Sequence, residues 1–305
     1  MQDKTALVTG ATSGIGRVTA LELARKGATV IVVGRNESKA REVVSAIQNE
    51  TGNERVSYLL ADLSSVSATK ALSEEFHRKF DRLDVLVNNA GAIFMTRGET
   101  VDGFENTFAL NHLVGYFYLT NLLLDTIVAS APARIVSVSS GAHSFGGMNF
   151  DDLQGKEKYS GWRAYGQSKL ANLLFTYELA RRLEGTGVTA NALHPGFVAS
   201  NFGRTNNSES TLQRIGLRMS QVMAVSEEKG AATSIYLATS PEVEGVTGKY
   251  FQNCKPKDSS KASYSQADQA RLWQVSEQLL QINATVPPVK SASSTAAPVL
   301  ETAIA

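Results

Sequence analysis

The chain has a single cysteine, Cys254, so it contains no intrachain disulfide, and its four histidines, His77, His112, His143 and His194, stand too far apart for metal-site spacing. Neither sign of charge prevails. Thirty Lys and Arg face 29 Asp and Glu, a formal net charge of +1, so charge draws the chain neither to nucleic acid nor to an anionic membrane. With 19% of residues charged, it also lacks the make-up of a charge-rich disordered chain. No charged segment followed by an apolar one opens the sequence, so no secretory signal is read there. The longest hydrophobic stretch, Leu113 to Leu124, is broken by Gly115, Thr120 and Asn121 and falls short of the roughly 20 apolar residues that span a bilayer. What remains, at 43% hydrophobic content over 305 residues, is a chain able to bury a sizeable core. It is expected to be a cytoplasmic enzyme or binding protein, with no integral membrane segment and no nucleic-acid partner.

Two periods alternate along the chain. Residues 5–9 read as a short buried strand; residues 14–26 place Ile15, Val18, Leu21 and Leu23 at helical spacing, and Gly27 ends that helix. Strand 29–33, helix 38–50 with Ala40, Val43, Val44 and Ile47 on one face, and strand 56–60 complete two βαβ units. The pattern continues with helix 65–80, strand 83–87, a long helix from about 103 to 128, strand 134–138, helix 162–183 and strand 188–193. A polar loop follows, then helix 226–239, strand 249–251 and helix 266–281. Strands alternating with helices predict an α/β Rossmann fold, a single domain with a doubly wound, mostly parallel sheet of about seven strands flanked by helices. The domain is expected to span residues 1–282. From Asn283 the chain loses periodicity amid Pro287, Pro288, Ser291, Ser293 and Ser294, and a disordered tail over 283–305 is expected.

Between the first strand and the first helix lies Thr9-Gly10-Ala11-Thr12-Ser13-Gly14-Ile15-Gly16, where a dinucleotide pyrophosphate would sit. Small residues let the backbone approach phosphates, and the helix start offers unpaired N–H groups and the positive end of its dipole. The same glycines also suit a plain tight βα turn, and their G-x-x-x-G-x-G spacing differs from the common G-x-G-x-x-G. The second strand ends in Val33-Gly34-Arg35, where an NAD-binding protein tends to place a carboxylate for the ribose 2′-hydroxyl. A guanidinium fork instead suits a 2′-phosphate, which points to NADP, with NADPH preferred over NADH; a solvated Arg at a helix start is the alternative. Asp62 and Leu63 follow the third strand, where the adenine would lie, and Asn88-Asn89-Ala90-Gly91 follows the fourth, though each also fits ordinary turn chemistry.

Over about residues 4–281 the sequence resembles the short-chain dehydrogenase/reductase family. Carrying the resemblance are the glycine motif from Thr9 to Gly16, the Asn-Asn-Ala-Gly motif from Asn88 to Gly91, Tyr165-Gly166-Gln167-Ser168-Lys169, and Pro195-Gly196. Within the family it is most similar to the retinol dehydrogenase branch, through Asp151-Asp152-Leu153-Gln154, Ser168-Lys169-Leu170-Ala171-Asn172, Leu193-His194-Pro195-Gly196, Gly248-Lys249-Tyr250-Phe251 and Arg271-Leu272-Trp273. Animal members of that branch generally carry an N-terminal membrane anchor, whereas this sequence begins almost directly at the first strand, so a form without the anchor is expected. The resemblance implies a catalytic set of Asn111, Ser140, Tyr165 and Lys169, with Ser140 chosen over Ser139 as the second serine of the pair. Lys169 would also bind the nicotinamide ribose, Asn111 would anchor a water linking Lys169 to solvent, and Pro195, Gly196 and Val198 would hold the carboxamide. The implied activity is that of an oxidoreductase, a carbonyl reductase reversible as an alcohol dehydrogenase, on a small lipophilic aldehyde or ketone, retinal among the candidates. Many relatives form homo-oligomers.

Of nine tyrosines, only Tyr165 has a Lys four residues on, one helical turn away on the same face. A free phenol, with a pKa of about 10, is a poor proton donor or acceptor at neutral pH, and a neighbouring ammonium stabilises its anion. Such a pair also occurs as a simple surface contact. The stretch 201–225, with Phe202, Leu212, Ile215, Leu217, Met219, Val222 and Met223, reads as a lid over an apolar substrate or as plain packing, with His143, Phe145, Met148 and Phe150 as the opposite wall. His194 reads as a structural strand-end residue. An epimerase of the family's extended branch fits badly, because the glycine spacing differs and no large C-terminal substrate domain follows; a non-catalytic NADP(H)-sensing or scaffold protein is the remaining alternative.

Overall fold

The computed structural model describes residues 1–196 and 225–287. Eight strands form one sheet: β1 (Thr5–Thr9), β2 (Thr29–Gly34), β3 (Val56–Leu60), β4 (Val85–Asn88), β5 (Ala133–Val138), β6 (Val188–Leu193), β7 (Tyr250–Gln252) and β8 (Lys255–Pro256). Their order is β3-β2-β1-β4-β5-β6-β7-β8, parallel throughout except for the β7–β8 hairpin. The expected seven strands are all present. The eighth, two residues long, carries no periodicity that a sequence could show. Helices α1 (Gly14–Arg25), α2 (Glu37–Thr51), α3 (Val66–Lys79), α4 (Asn106–Ala129), α5 (Gly161–Arg182), α6 (Glu227–Thr239) and α7 (Gln266–Leu280) cover both faces.

Alternation along the strands separates two cores. Ala6, Val8, Val30, Val32, Val85, Val87, Val136 and Val138 face Leu23, Val44, Ile47 and Leu237 of α1, α2 and α6. Leu7, Ile31, Val33, Leu86 and Ile135 face Leu72, Phe117, Leu123, Phe175 and Trp273 of α3, α4, α5 and α7. Because the order turns back at β1 and β4, their C-terminal ends leave a crevice between them, the place where such sheets bind ligands. Val8 pairs with Val87 across that seam.

Helix α4 is long and apolar enough to cross a membrane by length and composition, although its longest unbroken apolar run is not. It is spent on the domain's own core, where Leu113, Phe117, Leu119 and Leu123 are buried. Its middle, Ala109–Tyr118, widens into π-helical spacing, which helical periodicity in the sequence does not register. At the other end of the chain, packing continues past residue 282, where the domain was expected to stop. Ala284 is buried, its N–H donates to Glu277 Oε1 at 2.9 Å, and Val286 lies against the core. Residues 288–305 of the expected tail lie outside the described residues.

Gly115 permits the π-helical segment, since a Cβ there would stand 2.2 Å from the Leu110 carbonyl oxygen, a backbone atom that has nowhere to retreat. Gly115→Ala is expected to lower stability by about 2 kcal/mol in urea unfolding. Gly147→Ala, where a Cβ meets nothing within 4 Å, serves as the control and is expected to leave stability unchanged.

Candidate active site

The glycine turn is sewn to the segment after β4. The Thr9 hydroxyl accepts from the amides of Asn89 at 2.8 Å and Ala90 at 2.9 Å, and Asn89 Nδ2 donates back to the Thr9 carbonyl at 2.6 Å. This closeness demands glycine. At Gly10, whose φ is +64°, a Cβ would lie 2.9 Å from Ala90 Cα; at Gly16 it would lie 2.5 Å from Asn89 Nδ2 and 2.6 Å from the Gly10 carbonyl oxygen. Asn89 thus acts through its grip on the turn. Ser13 stands at the N-cap of α1 with extended backbone and makes no side-chain bond to the helix, unlike Asn36 before α2 or Ser65 before α3, so the first amides of α1 keep no internal acceptor. Thr12 lies against the end of β2, where a Cβ on Gly34 would meet its methyl at 2.4 Å, and Ile15 packs against the α1-side core.

Arg35 leaves β2 with its side chain 64% exposed, 3.9 Å from Asp62 Oδ2. Asp62 spends Oδ1 on the amide and hydroxyl of Ser64, at 3.0 and 2.7 Å, which fixes the turn after β3. Leu63, expected among the cofactor-binding residues, buries its side chain in the core, so only its backbone is left to face a ligand.

Ser140, Tyr165 and Lys169 of the expected catalytic set meet around the end of β5, with Asn111 beside Lys169 at Gly91. Tyr165, in the second turn of α5, hydrogen-bonds to the Ser140 hydroxyl. The adjacent Ser139 is buried, and its hydroxyl donates to the Lys169 carbonyl at 2.8 Å, so geometry separates the two serines. Lys169 is 3% exposed, its Nζ 5.7 Å from the centre of the Tyr165 ring. That Nζ donates to the Val138 carbonyl at 3.1 Å, and the same oxygen accepts from Tyr116 Oη at 3.1 Å and Asn172 Nδ2 at 3.4 Å. Gly91 is the lid on this pocket: a Cβ there would come within 3.1 Å of Asn111 Oδ1 and 3.3 Å of Lys169 Nζ. Burial pushes the Lys169 ammonium down to about 7 and the Tyr165 phenol up to about 12, the latter against the pull of the Ser140 hydroxyl.

Asn111 lies beside this cluster, on the π-helical stretch of α4. Its Oδ1 accepts from Ala92 N at 2.8 Å, while Nδ2 donates to the Ala92 carbonyl at 2.9 Å and to Ser168 Oγ at 3.0 Å. The side chain so engaged braces the chain after Gly91 against α5.

Beyond β6, Gly196 adopts φ +83° and its N–H donates to His194 Nδ1 at 3.1 Å, so His194 holds the Pro195-Gly196 turn. Val198, and residues 201–224 of the stretch read as a lid or as packing, lie outside the described residues. Of the four residues expected on the opposite wall, His143 is buried, and Met148 and Phe150 pack into a core cluster with Phe108 and Leu153. Phe145 alone is open, lying over Gly166. The sequence reading missed Trp162, 57% exposed and edge-on to Tyr165 at 6.5 Å, and Met95 beside Gly161. Trp162 stands three residues before Tyr165, a helical spacing that was available as a signal. Tyr116 and Asn172 hold the Val138 carbonyl; Asn172 lies in the segment that carries the branch resemblance, whereas Tyr116 had no local signal. A hollow of about 950 Å³ at the opposite, N-terminal edge of the sheet, lined by Lys4, Asp84, Arg134 and Glu244 among others, is remote from these groups.

Folded Lys169 loses its proton near pH 7, whereas the unfolded side chain keeps it to about 10.5. Between those values the unfolded chain binds more protons, so stability rises with pH, and the cost of burying the ammonium is full only below pH 7. The raised Tyr165 phenol acts only above pH 10. Without cofactor, Lys169→Met is therefore expected to exceed the wild type in urea stability at pH 6, and the gap is expected to narrow by on the order of 3 kcal/mol by pH 9.5. A gap independent of pH would refute this account.

A family model described as short chain dehydrogenase matches residues 4–211. Human retinol dehydrogenase 14 is 44% identical over 290 residues, covering 91% of this chain and 86% of its own. Human polyprenol dehydrogenase is 44% identical over 282 residues, covering 89% and 83%. Among solved structures, an uncharacterised protein of Mycobacterium paratuberculosis superposes with a TM-score of 0.74 at 34% identity, covering 94% of this chain and 96% of that one. A short chain dehydrogenase from Escherichia coli complexed with NADPH gives 0.64 at 25% identity, covering 84% and 98%. A βαβ sheet with a glycine turn at its crevice, a Tyr–Ser–Lys cluster beside it, and these likenesses over nine-tenths of the chain lead to one assignment: the chain belongs to the short-chain dehydrogenase/reductase family, in its retinol dehydrogenase branch, and is an oxidoreductase.

Proposed function

We propose that the protein is an NADPH-dependent carbonyl reductase, reversible as an alcohol dehydrogenase, acting on a lipophilic aldehyde or ketone such as retinal. The observation that carries this reading is the hydrogen-bonded Tyr165–Ser140 pair with the Lys169 amine buried one turn away, beside a cradle that only glycine allows. Support for a lipophilic substrate comes from Phe145, Trp162 and Met95, exposed around Tyr165, and from the names of relatives, which denote isoprenoid alcohols.

The residues present fit a dinucleotide. Gly10 and Gly16 leave room where a Cβ would collide, the uncapped start of α1 offers amides to phosphate, and Arg35, at the end of β2, has an exposed guanidinium suited to a 2′-phosphate. When bound, NADPH supplies a hydride to the carbonyl carbon. Tyr165 keeps its proton at neutral pH and is the donor to the carbonyl oxygen. The Ser140 hydroxyl accepts from the Ala142 amide at 3.2 Å, which leaves its hydrogen to point at Tyr165 or, with substrate present, at the same carbonyl oxygen. Proton donation leaves a phenolate, and the charged form of Lys169 stabilises it.

Two measurements test the reading. With NADPH and a panel of carbonyls that includes all-trans-retinal, Tyr165→Phe is expected to lower kcat at least 100-fold while NADPH affinity stays within about twofold. Loss of only a few-fold activity would sink the acid role. For Arg35→Ala, the preference for NADPH over NADH in kcat/KM is expected to fall about tenfold or more, equivalent to about 1.4 kcal/mol of phosphate recognition. An unchanged preference would mean that another group reads the 2′ position.

A further inference from the structure

We propose that His143 is a positioning residue for this reaction, clamping the backbone of Ser140 and tying it to the segment around Ser260. The inference rests on the reductase reading above, in which Ser140 orients the carbonyl oxygen. Ser140 lies at the junction of β5 and the short helical turn Gly141–Ser144. Its carbonyl is held twice by one residue, by His143 N at 3.1 Å and by His143 Nδ1 at 2.7 Å. The ring's other nitrogen, Nε2, accepts from the Ser260 amide at 3.2 Å. A backbone N–H only donates, so Nε2 must be bare and the ring hydrogen must sit on Nδ1, directed at the Ser140 carbonyl. The neutral imidazole thus serves as donor on one side and acceptor on the other.

The ring is also fixed sideways. His143 is 3% exposed and meets Tyr250 of β7 edge-on at 5.1 Å, while His194 stacks near Tyr250 at 6.5 Å. Ser259 and Ser263, flanking Ser260, are anchored in turn: Ser259 Oγ bonds with Tyr177 Oη at 2.7 Å, and Gln269 Nε2 donates to the Ser263 carbonyl at 2.7 Å. Ser140 therefore hangs on a line of contacts that ends on α5 and α7, outside the glycine cradle. Burial keeps His143 neutral at pH 7, as the two hydrogen bonds require. Of the groups that face it, Tyr250 is kept uncharged by its own burial, and His194 is kept neutral by burial, with His143 itself and Lys257 adding to the effect.

The test compares His143→Phe, which keeps the ring but neither hydrogen bond, with His143→Asn, whose amide can still reach the Ser140 carbonyl. Nitrogen-15 NMR of the wild type is expected to show the Nδ1–H tautomer at His143; an Nε2–H tautomer overturns the proposal. Carbon-13 labelling of tyrosine Cζ reports the Tyr165–Ser140 bond without turnover. In His143→Phe the Tyr165 resonance is expected to move as it does in Ser140→Ala, and in His143→Asn to stay in place; an unmoved resonance in the Phe variant overturns the proposal. In turnover, His143→Phe is expected to lower kcat tenfold or more with NADPH affinity within twofold, and His143→Asn to recover kcat to within about threefold of wild type. Equal losses in both variants, in step with lost stability, would mean a merely structural histidine. A wild type that reduces no carbonyl defeats the reductase reading, and the two NMR readouts still decide the clamp.

Discussion

An amine buried as deeply as that of Lys169 has lost the water that solvated it, and the protein must supply a substitute. Here the substitute is one carbonyl, that of Val138, at the last residue of β5. It accepts from Lys169, Tyr116 and Asn172 together, which draws α4 and α5 onto the strand end. Much else at the site follows from that crowding. Gly91 has no side chain because the amine and Asn111 fill the space, and Asn111 in turn ties the chain after Gly91 to Ser168 on α5. The cluster is thus a solution to a desolvation problem, and that solution holds an amine half-charged near neutrality beside a phenol that is fully protonated.

The fold was legible because its signals are local and repeated. Strands buried on both faces appear as short β-branched runs, and the helices between them show apolar residues at helical spacing. Both motifs that anchor the site, Thr9 to Gly16 and Tyr165 to Lys169, also lie within single elements and their turns. What escaped was whatever depends on distant partners. The side-chain partners of Asn111, Ala92 and Ser168, the latter 57 residues away, are of this kind. His143 looked like pocket wall, and its role rests on Ser260, 117 residues away. That the Leu63 side chain turns inward to the core, leaving only its backbone to face a ligand, was likewise not written in its neighbours. The π-helical stretch of α4 was hidden for another reason: its apolar composition is that of any buried helix, and only the close approach of Gly115 to Leu110 marks it.

The two faces of the sheet carry unequal burdens. On the α1, α2 and α6 side the packing is mostly Val and Ala, which brings the helices close to the strands and keeps the glycine turn tight against β4. On the other side Phe117, Phe175 and Trp273 pack in edge-to-face and stacked contacts, with Arg182 over the Trp273 ring at 4.1 Å. These rings join α5 to α7 and α4, while at the start of α5 Trp162 is exposed and Tyr165 lies buried beneath it.

The hydrogen bonds that the amides of Asn89 and Ala90 donate to the Thr9 hydroxyl sit just beyond the Val8–Val87 pair, on the same seam. A parallel pair of strands slipped by a single position would turn Leu7 and Val8 to the wrong cores and, in the same movement, carry Thr9 out of reach of both amides. Register at the centre of the sheet and the shape of the cofactor cradle are therefore one variable. The cradle has no separate assembly step: it exists, with its empty space already formed, as soon as β1 and β4 are correctly aligned, and a ligand arriving there meets a surface that need not be ordered at its expense.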